Sequence, residues 1–407
     1  MPQDKKDNNL NVPPLRFPGF TDEWKETTIG DMAIIEKGNG ISKDQLSDEG
    51  EECILYGELY TKYRSEIINE VYSKTDIDSS KLTRSQANDL IIPCSGETAA
   101  DIATARCVRK DGILLGGDLN IIRFNNQDGA FMSYQLNGKR KYDIARVAQG
   151  VSVVHLYPDH LKSVKVYTPQ IKEQQKVVTL LSRIDERIAT QNKIIDDLQS
   201  LIKGLNDRFH DGMQGTPISF EQLGSSYSGL SGKSGADFGQ GSPFITYLNV
   251  YQNNIVNEKQ IDLVSVEANE SQNTISYGDV LFTLSSETPE ETGIGCVYLG
   301  SSGKYYLNSF CFGVTITHPD RVYPPYLAYL VSSSKFRKFV YPLAQGSTRF
   351  NLQKSDFMRK QFKLLPIEKQ KEIATMLDTL NNRLSTECKL NELYKSQKDY
   401  LLRKLFI

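Results

Sequence analysis

No window of this 407-residue chain approaches the roughly 18 consecutive apolar residues of a membrane span. The polar stretch from Met1 to Asn11 lacks the apolar core of a signal peptide. A cytoplasmic protein with no membrane partner is expected. The six cysteines (Cys53, Cys94, Cys107, Cys296, Cys311, Cys388) include no C-x-x-C pair and lie mostly in apolar strand-like runs. They read as small core residues. The four histidines (His155, His160, His210, His318) are dispersed, without metal-ligand spacing. Charge of one sign is also missing: 48 Lys and Arg stand against 50 Asp and Glu, a formal net charge of -2. A nucleic-acid binder that works alone carries a basic surplus, so any DNA contact here must be locally concentrated or shared with another subunit.

Catalytic motifs are lacking too. There is no phosphate-cradling G-x-x-x-x-G-K-S/T, and Glu23-Trp24-Lys25 has no upstream acidic partner in nuclease spacing. Tyr323-Pro324-Pro325-Tyr326 is similar to the Asp/Asn-Pro-Pro-Tyr of amino-methyltransferases, but Tyr323 cannot replace the amide or carboxylate that holds a target amino group. No Gly-rich strand-to-helix loop for an adenosyl group lies upstream of it. The motif reads as a Pro-Pro turn before a helix, and no catalysis is expected of this chain alone.

What is present is a seam. Val177, Leu181, Ile184, Ile188, Gln191, Ile195, Leu198, Ile202, Leu205 and Phe209 alternate four- and three-residue steps, with polar or charged residues between them. That is coiled-coil periodicity, interrupted by no Gly or Pro before Gly204. Such a helix is held by burying its apolar stripe against a partner. The partner is a second copy in the same chain. Ala148-Gln149-Gly150 recurs as Ala344-Gln345-Gly346, and the same offset of 196 carries His155-Leu156 onto Asn351-Leu352, Gln174 onto Gln370, and the first four seam residues onto Ile373, Leu377, Leu380 and Leu384. Upstream the offset drifts to 190, where Asp89 to Thr98 matches Asp279 to Thr288. An ordered series of matches at slowly changing offset is what a duplicated unit leaves behind.

The expected fold class is α+β: two mixed α/β domains separated by two long antiparallel coiled-coil helices in a pseudo-twofold internal repeat. The expected divisions are an N-terminal arm (1–26), a first domain (27–168), a central helix (169–215), a second domain (216–365) and a C-terminal helix (366–407). The first domain has β-like runs at Ile54–Tyr60, Leu90–Cys94, Ile113–Phe124 and Val164–Tyr167, and short helices at Phe131–Leu136 and Lys139–Val147. The second repeats them at Phe244–Tyr251, Asp279–Leu284, Phe310–Thr317 and Gln361–Leu365, with helices at Tyr326–Val331 and Lys335–Tyr341. Phe220–Pro243, rich in Gly and Ser, reads as irregular and mobile. Pro169 and Pro366 suit the first turns of the long helices. Antiparallel packing brings the C-terminus near the N-terminal arm and leaves Asp211–Pro217 as a link without covalent counterpart. Polar Glu387, Asn391 and Lys398 fall in the second seam while Leu390, Leu393 and Leu401 suggest a local slip; Gln191 facing such polar groups fixes register. A helix from about Ile171 to Phe209 spans roughly 58 Å, more than the about 34 to 36 Å of a turn of B-DNA, so the rod can act as a ruler between two heads.

Val12-Pro-Pro-Leu-Arg-Phe-Pro-Gly-Phe-Thr-Asp-Glu-Trp24, the Ala-Gln-Gly loop before each long helix, Pro169 to Gln175 with its echo Pro366 to Gln370, and the duplicated layout together resemble a DNA specificity subunit of a type I restriction-modification system. The echo is one residue shorter than its counterpart, which leaves the start of the second helix open. The resemblance covers essentially the whole chain. It implies two target recognition domains, each reading half of a split double-stranded DNA sequence, and spacer helices that bind two modification (methyltransferase) subunits, with restriction (endonuclease/translocase) subunits completing the complex. No cofactor is expected on this chain; S-adenosylmethionine, ATP and magnesium are expected on the partner subunits.

Candidate DNA-binding residues are Lys139, Arg140 and Lys141 and, at the same place in the other half, Lys335, Arg337 and Lys338, with Arg146 and Arg349 flanking the Gly loops. Clustered cations neutralise phosphates, although a solvated helix face has the same composition. Lys62, Tyr63 and Arg64 mix cation and aromatic on a loop after a strand, and Gln149 and Gln345 have the amides that pair with adenine, or that stabilise a turn. Ser95, Glu97 and Thr98, with Ser285, Glu287 and Thr288, end strands in either a base-reading loop or an ordinary turn. Beside the DNA-recognition reading stands a coiled-coil scaffold without sequence specificity, for which the near-neutral charge argues, and a self-sufficient modification enzyme, which the missing motifs disfavour.

Overall fold

The structure, a computed structural model, describes residues 11–150, 153–211, 215–300 and 303–407. The first ten residues of the expected N-terminal arm and residues 212–214 of the expected link lie outside the described residues. The chain divides into two compact units. Unit 1 comprises Met1–Lys193 with Lys389–Ile407, and unit 2 comprises Ile194–Cys388.

The two seams form helices of 40 residues (Ile171–His210) and 38 residues (Ile367–Lys404). Every residue of the first seam is buried or half-buried, while Leu201, one step outside it, is exposed. In unit 1, Asp185 meets Lys398 and Asn192 accepts from the Asn391 side-chain amide at 2.8 Å. Numbers that rise along one helix fall along the other, so the helices are antiparallel there. The expected slip in the second seam does not occur. Asn391 is buried and Lys398 half-buried, whereas of the three leucines Leu393 is 65% exposed, Leu390 is half-buried, and Leu401, which the 196 offset matches to Leu205, is buried. Buried polar partners, absent from the sequence pattern, hold the register that leucines alone would have shifted.

Both helices begin alike. Gln174 donates to the Pro169 carbonyl (2.9 Å) and Gln127 Oε1 (2.7 Å) and accepts from the Asp128 amide (3.0 Å). Gln370 donates to the Leu365 (2.7 Å) and Arg321 (2.8 Å) carbonyls and accepts from the Tyr323 amide (2.8 Å). Each glutamine is almost wholly buried, and each reaches back five residues, so the second helix starts in register with the first. Only the proline has moved by one residue. The carbonyls of Gln170 and Pro366 accept the first helical bonds, which places both prolines just ahead of the first turn and not within it.

The main sheet of unit 1 orders strands Ala33–Lys37, Leu119–Phe124, Asp89–Pro93, Arg106–Val108 and Ile67–Ile68, beside a three-stranded sheet of Ser73–Thr75, Glu51–Ile54 and Leu114–Leu115. Unit 2 repeats this with Gly224–Ser228, Cys311–Ile316, Val280–Thr283 and Gly295–Val297, beside Ile261–Val264, Phe238–Ile245 and Tyr306–Leu307. Phe220–Pro243 is therefore not irregular. It contains a short helix (Phe220–Leu223), the strand Gly224–Ser228 and much of the strand Phe238–Ile245. Ser219 and Gln222 form the same capping box there as Thr28 and Asp31 in unit 1. Two expected strands lie earlier in the chain than read: Glu51–Ile54 and Phe238–Ile245 end where Ile54–Tyr60 and Phe244–Tyr251 were expected to begin. Leu55 donates to Glu58 Oε2, so the chain after Ile54 turns into the helix Glu58–Thr61. Thr246 likewise caps Tyr247–Gln252. Ile113–Phe124 breaks into two strands at Asp118, whose φ is +58°.

In unit 1, Trp24 packs edge-on against Phe131 and Phe406, and the Leu15 amide donates to the Lys404 carbonyl at 2.8 Å. The end of the C-terminal helix thus meets the N-terminal arm, as expected. Val177, Leu181 and Ile184 share that core with Leu401, Leu402 and Leu405. In unit 2, Ile202, Leu205 and Phe209 pack on a core that contains Ile373, Ala374 and Leu377. Each fully buried Leu or Phe contributes about 1.5–3 kcal/mol, which is why neither helix half stands free of its unit.

Candidate nucleic-acid interface

The same loop pair is built in each unit. In unit 1, Ser95–Gly96 pairs with Val154–His155, and Gln149 and His155 exchange backbone hydrogen bonds of 2.9 and 2.7 Å. In unit 2, Ser285–Ser286 pairs with Phe350–Leu352, whose other edge holds Ala344–Gln345. The glycine of each hairpin is fixed by geometry. Gly150 (φ +130°) and Gly346 (φ +142°) would each set a Cβ 2.0 Å from the carbonyl oxygen three residues on. No side chain fits there.

The candidate residues separate into two groups. Gln149, Gln345, Lys139, Arg146, Lys335, Lys338 and Arg349 are exposed, and Lys141 is half-exposed. Among the described residues Arg146 makes only a long 3.7 Å ion pair, with Asp143. Arg140 and Arg337, read as phosphate ligands, are instead engaged within the fold. The Arg140 guanidinium lies over the Tyr167 ring (4.6 Å), pairs with Asp143 and donates to the Ile407 oxygen (2.8 Å). Arg337 donates to the carbonyls of Glu290 (2.8 Å), Thr292 (2.6 Å) and Gly293, and burial pushes its pKa down to about 10. It ties the second short helix to the turn that follows Ser285 and Ser286. Carbonyl partners so distant in sequence leave no local signal.

The loop after the third strand of unit 1 behaves similarly. Tyr63 is buried, stacks on Tyr72 at 5.5 Å, and has its hydroxyl pushed far above the usual phenol range by burial. Lys62 pairs with Glu58 at 2.6 Å and donates to Ser73 at 2.7 Å. Arg64 alone of the three is exposed without an ion pair among the described residues. Thr98 caps the helix Ala99–Ile102, so that residue is an ordinary cap, while Glu97 and Glu287 are exposed. Tyr323-Pro324-Pro325-Tyr326 opens the helix Pro324–Ser332, with Tyr326 fully buried. It is a helix start.

Sequence reasoning missed two exposed aromatics beside the hairpins. Tyr157 is 47% exposed, stacks on His155 (6.1 Å) and has Lys37 near its ring (5.9 Å). Phe310 is 53% exposed, with the Arg349 guanidinium over its ring at 5.4 Å. The short spacing from His155 to Tyr157 was a usable signal; Phe310 and Arg349 come together only through the fold. No group of His, Cys, Asp and Glu among the described residues is arranged to hold a metal ion, and no described helix is long and apolar enough to cross a membrane.

Fold and site define a duplicated α/β protein with two equivalent hairpin-bearing units and two long helices. The chain belongs to the family described as type I restriction modification DNA specificity domain, whose model matches residues 21–200 and again 237–395. A type I restriction enzyme specificity subunit (MjaVIII) of Methanocaldococcus jannaschii is 25% identical over 202 residues, 49% of this chain and 44% of that protein. The chain spans about half the length of the curated relatives it matches. Among solved structures, the S subunit of a type I restriction-modification system from M. genitalium aligns at TM-score 0.57 with 17% identity, over 97% of this chain and 99% of that one. A chain from a structural study of complex assembly and conformational transition in the type I R-M system aligns at TM-score 0.60 with 15% identity, over 97% and 99%. Both share the fold.

Proposed function

We propose that this chain is the DNA specificity subunit of a type I restriction-modification complex, itself non-catalytic. Each unit reads one half of a bipartite double-stranded DNA target. The long helices carry the surface for two modification subunits, and restriction subunits add to that assembly. S-adenosylmethionine, ATP and magnesium belong on those partners. The observation that carries the reading is duplication: the family match falls twice, and each unit offers the same glycine hairpin with an exposed glutamine and an exposed arginine beside it. A coiled-coil scaffold without sequence specificity accounts for the helices but not for paired hairpins.

In this reading Lys139, Lys141, Arg146, Lys335 and Lys338 set phosphate register, while Gln149, Gln345, Arg349 and Arg64 reach toward bases or phosphates. Arg140, Arg337 and Tyr63 are positioning residues, and Lys62 is committed to Glu58. The test is co-expression with the cognate modification subunit and mapping of methylated adenines. A split motif with a fixed gap is expected; methylation without sequence preference overturns the proposal. Lys139→Ala or Lys335→Ala reduces the salt dependence of DNA affinity by about one counterion, and an unaltered salt slope removes that lysine from the interface.

A further inference from the structure

Unit 2 contains a cavity of about 240 Å³ lined by His210, Leu330, Phe336, Phe339 and Phe362, with the exposed Lys335 and Lys363 also lining it. The internal repeat shows which residues hold the corresponding positions in unit 1. There Tyr167 faces Glu26 across the strand pair. The Tyr167 ring lies under the Arg140 guanidinium, its hydroxyl donates to Glu26 at 2.8 Å, and Glu26 also pairs with Lys165 at 2.6 Å. Gln135 grips the Tyr167 backbone through bonds of 2.6 and 2.9 Å. Unit 1 thus sets, from its own chain, one half-exposed aromatic ring and one exposed carboxylate against the cations Arg140 and Lys165.

In unit 2 both are missing. The strand pair sets Lys363 opposite Pro217 where unit 1 has Tyr167 opposite Glu26. Leu330 takes the helix position of Gln135, and Lys335 lies just after the corresponding turn between the two short helices. Neither lysine has an ion-pair partner among the described residues, so the cations have lost the carboxylate that unit 1 provides. The apolar lining has lost the ring. His210 is almost fully buried at the same site; its Nδ1 donates to the Asn206 carbonyl at 2.7 Å and its Nε2 has no partner among the described residues. The pocket opens to solvent on one side, and its size suits one or two fused rings, below that of a drug-sized ligand.

We infer that this cavity is a binding site for a small aryl carboxylate, whose ring takes the place of Tyr167 and whose carboxylate takes the place of Glu26, between Lys335 and Lys363. The site stands on unit 2 alone; it shares Lys335 with the proposed phosphate contacts, and a titration without DNA separates the two. The test is calorimetric titration of the purified full chain with indole-3-acetate. Saturable binding at one site per chain is expected, with indole-3-acetamide, which keeps the ring and loses the charge, weaker by about fivefold or more. The double variant Pro217→Glu/Lys363→Tyr restores the unit 1 residue types at these positions and is expected to abolish binding. Lys335→Ala, at an exposed position, weakens binding by about fivefold and guards against misfolding of the double variant. Absence of saturation up to ~10 mM, equal binding of the amide, or undiminished binding to a folded double variant each overturns the inference.

Discussion

Replacing Lys398 by Met tests how the C-terminal helix is held in unit 1. The Lys398 ammonium lies 2.6 Å from Asp185 and also pairs with Glu66; the three side chains are only 13%, 10% and 8% exposed. Asp185 in addition accepts from the Tyr134 hydroxyl at 2.6 Å. Two carboxylates share one cation, so one of them is strained electrostatically. Burial first and Glu66 second raise the Asp185 pKa above its ordinary value, with Lys398 holding it down. Burial acts to lower the Lys398 pKa, but the two carboxylates outweigh it and hold it above the usual lysine range. Methionine fills the volume and removes the cation, leaving two buried carboxylates uncompensated. Breaking a buried pair in this way costs about 3–5 kcal/mol. For a unit of roughly two hundred residues that lowers Tm by about 6–20 °C.

The sign with pH follows from the same groups. Without Lys398 the Asp185 pKa rises further, so the folded variant binds more protons than its unfolded chain between the ordinary aspartate value and the raised one. Its stability falls as pH climbs through that window. The deficit against the parent is therefore greatest at neutral pH and shrinks on acidification. In the parent, the Lys398 contribution is complete below the ordinary lysine value of roughly 10.4 and is lost as pH passes the raised one. Differential scanning calorimetry from pH 5 to pH 8 reads the first effect, and its extension past about pH 10.4 reads the second. A Tm change under about 2 °C at neutral pH, or a deficit that does not shrink in acid, refutes the network as a stabilising lock.

Gly150→Ala and Gly346→Ala drive a Cβ into a carbonyl oxygen at 2.0 Å. Each should cut DNA affinity of the assembled complex by tenfold or more at the half-site read by its own unit, checked by footprinting each half separately, with global Tm little changed. Gln174→Ala and Gln370→Ala each strand buried backbone groups and should destabilise their own unit by about 2–3 kcal/mol in urea unfolding; a loss under about 0.5 kcal/mol contradicts the clamp. Thr28→Ala and Ser219→Ala remove matching capping boxes, and their measured costs should agree, near 1 kcal/mol each. Unequal costs would show that the two caps, though alike in form, carry different loads.

Periodicity and repetition made the long helices and the duplication legible, because seam spacing and the glutamine at each helix start are local signals. The first strands of unit 2 were not legible. Gly224–Ser228 is Gly- and Ser-rich, and its strand state comes from pairing with Cys311–Ile316 some ninety residues on. The candidate site was half legible. The hairpin glycines and their glutamines stand out through repetition, and exposed lysines follow composition. Arg140 and Arg337 looked equivalent to those lysines, yet their partners, Ile407 and the carbonyls at 290–293, are brought in by tertiary structure that overrides local charge patterning. The seam slip suggested by Leu393 failed for a similar reason: Asn391 and Lys398 have buried polar partners, so burying them costs less than turning the helix.

The meeting of Trp24 with Phe406 has a consequence for how the molecule is made. Unit 2 is one continuous stretch and has all its residues once Cys388 is synthesised. Unit 1 needs Leu401, Leu402, Leu405 and Phe406 to close a core begun by Trp24 and Phe131. On a ribosome releasing about 5–20 residues each second, the half translated first completes its core last, and the side of Trp24 that meets Phe406 stays open until the C-terminal helix arrives.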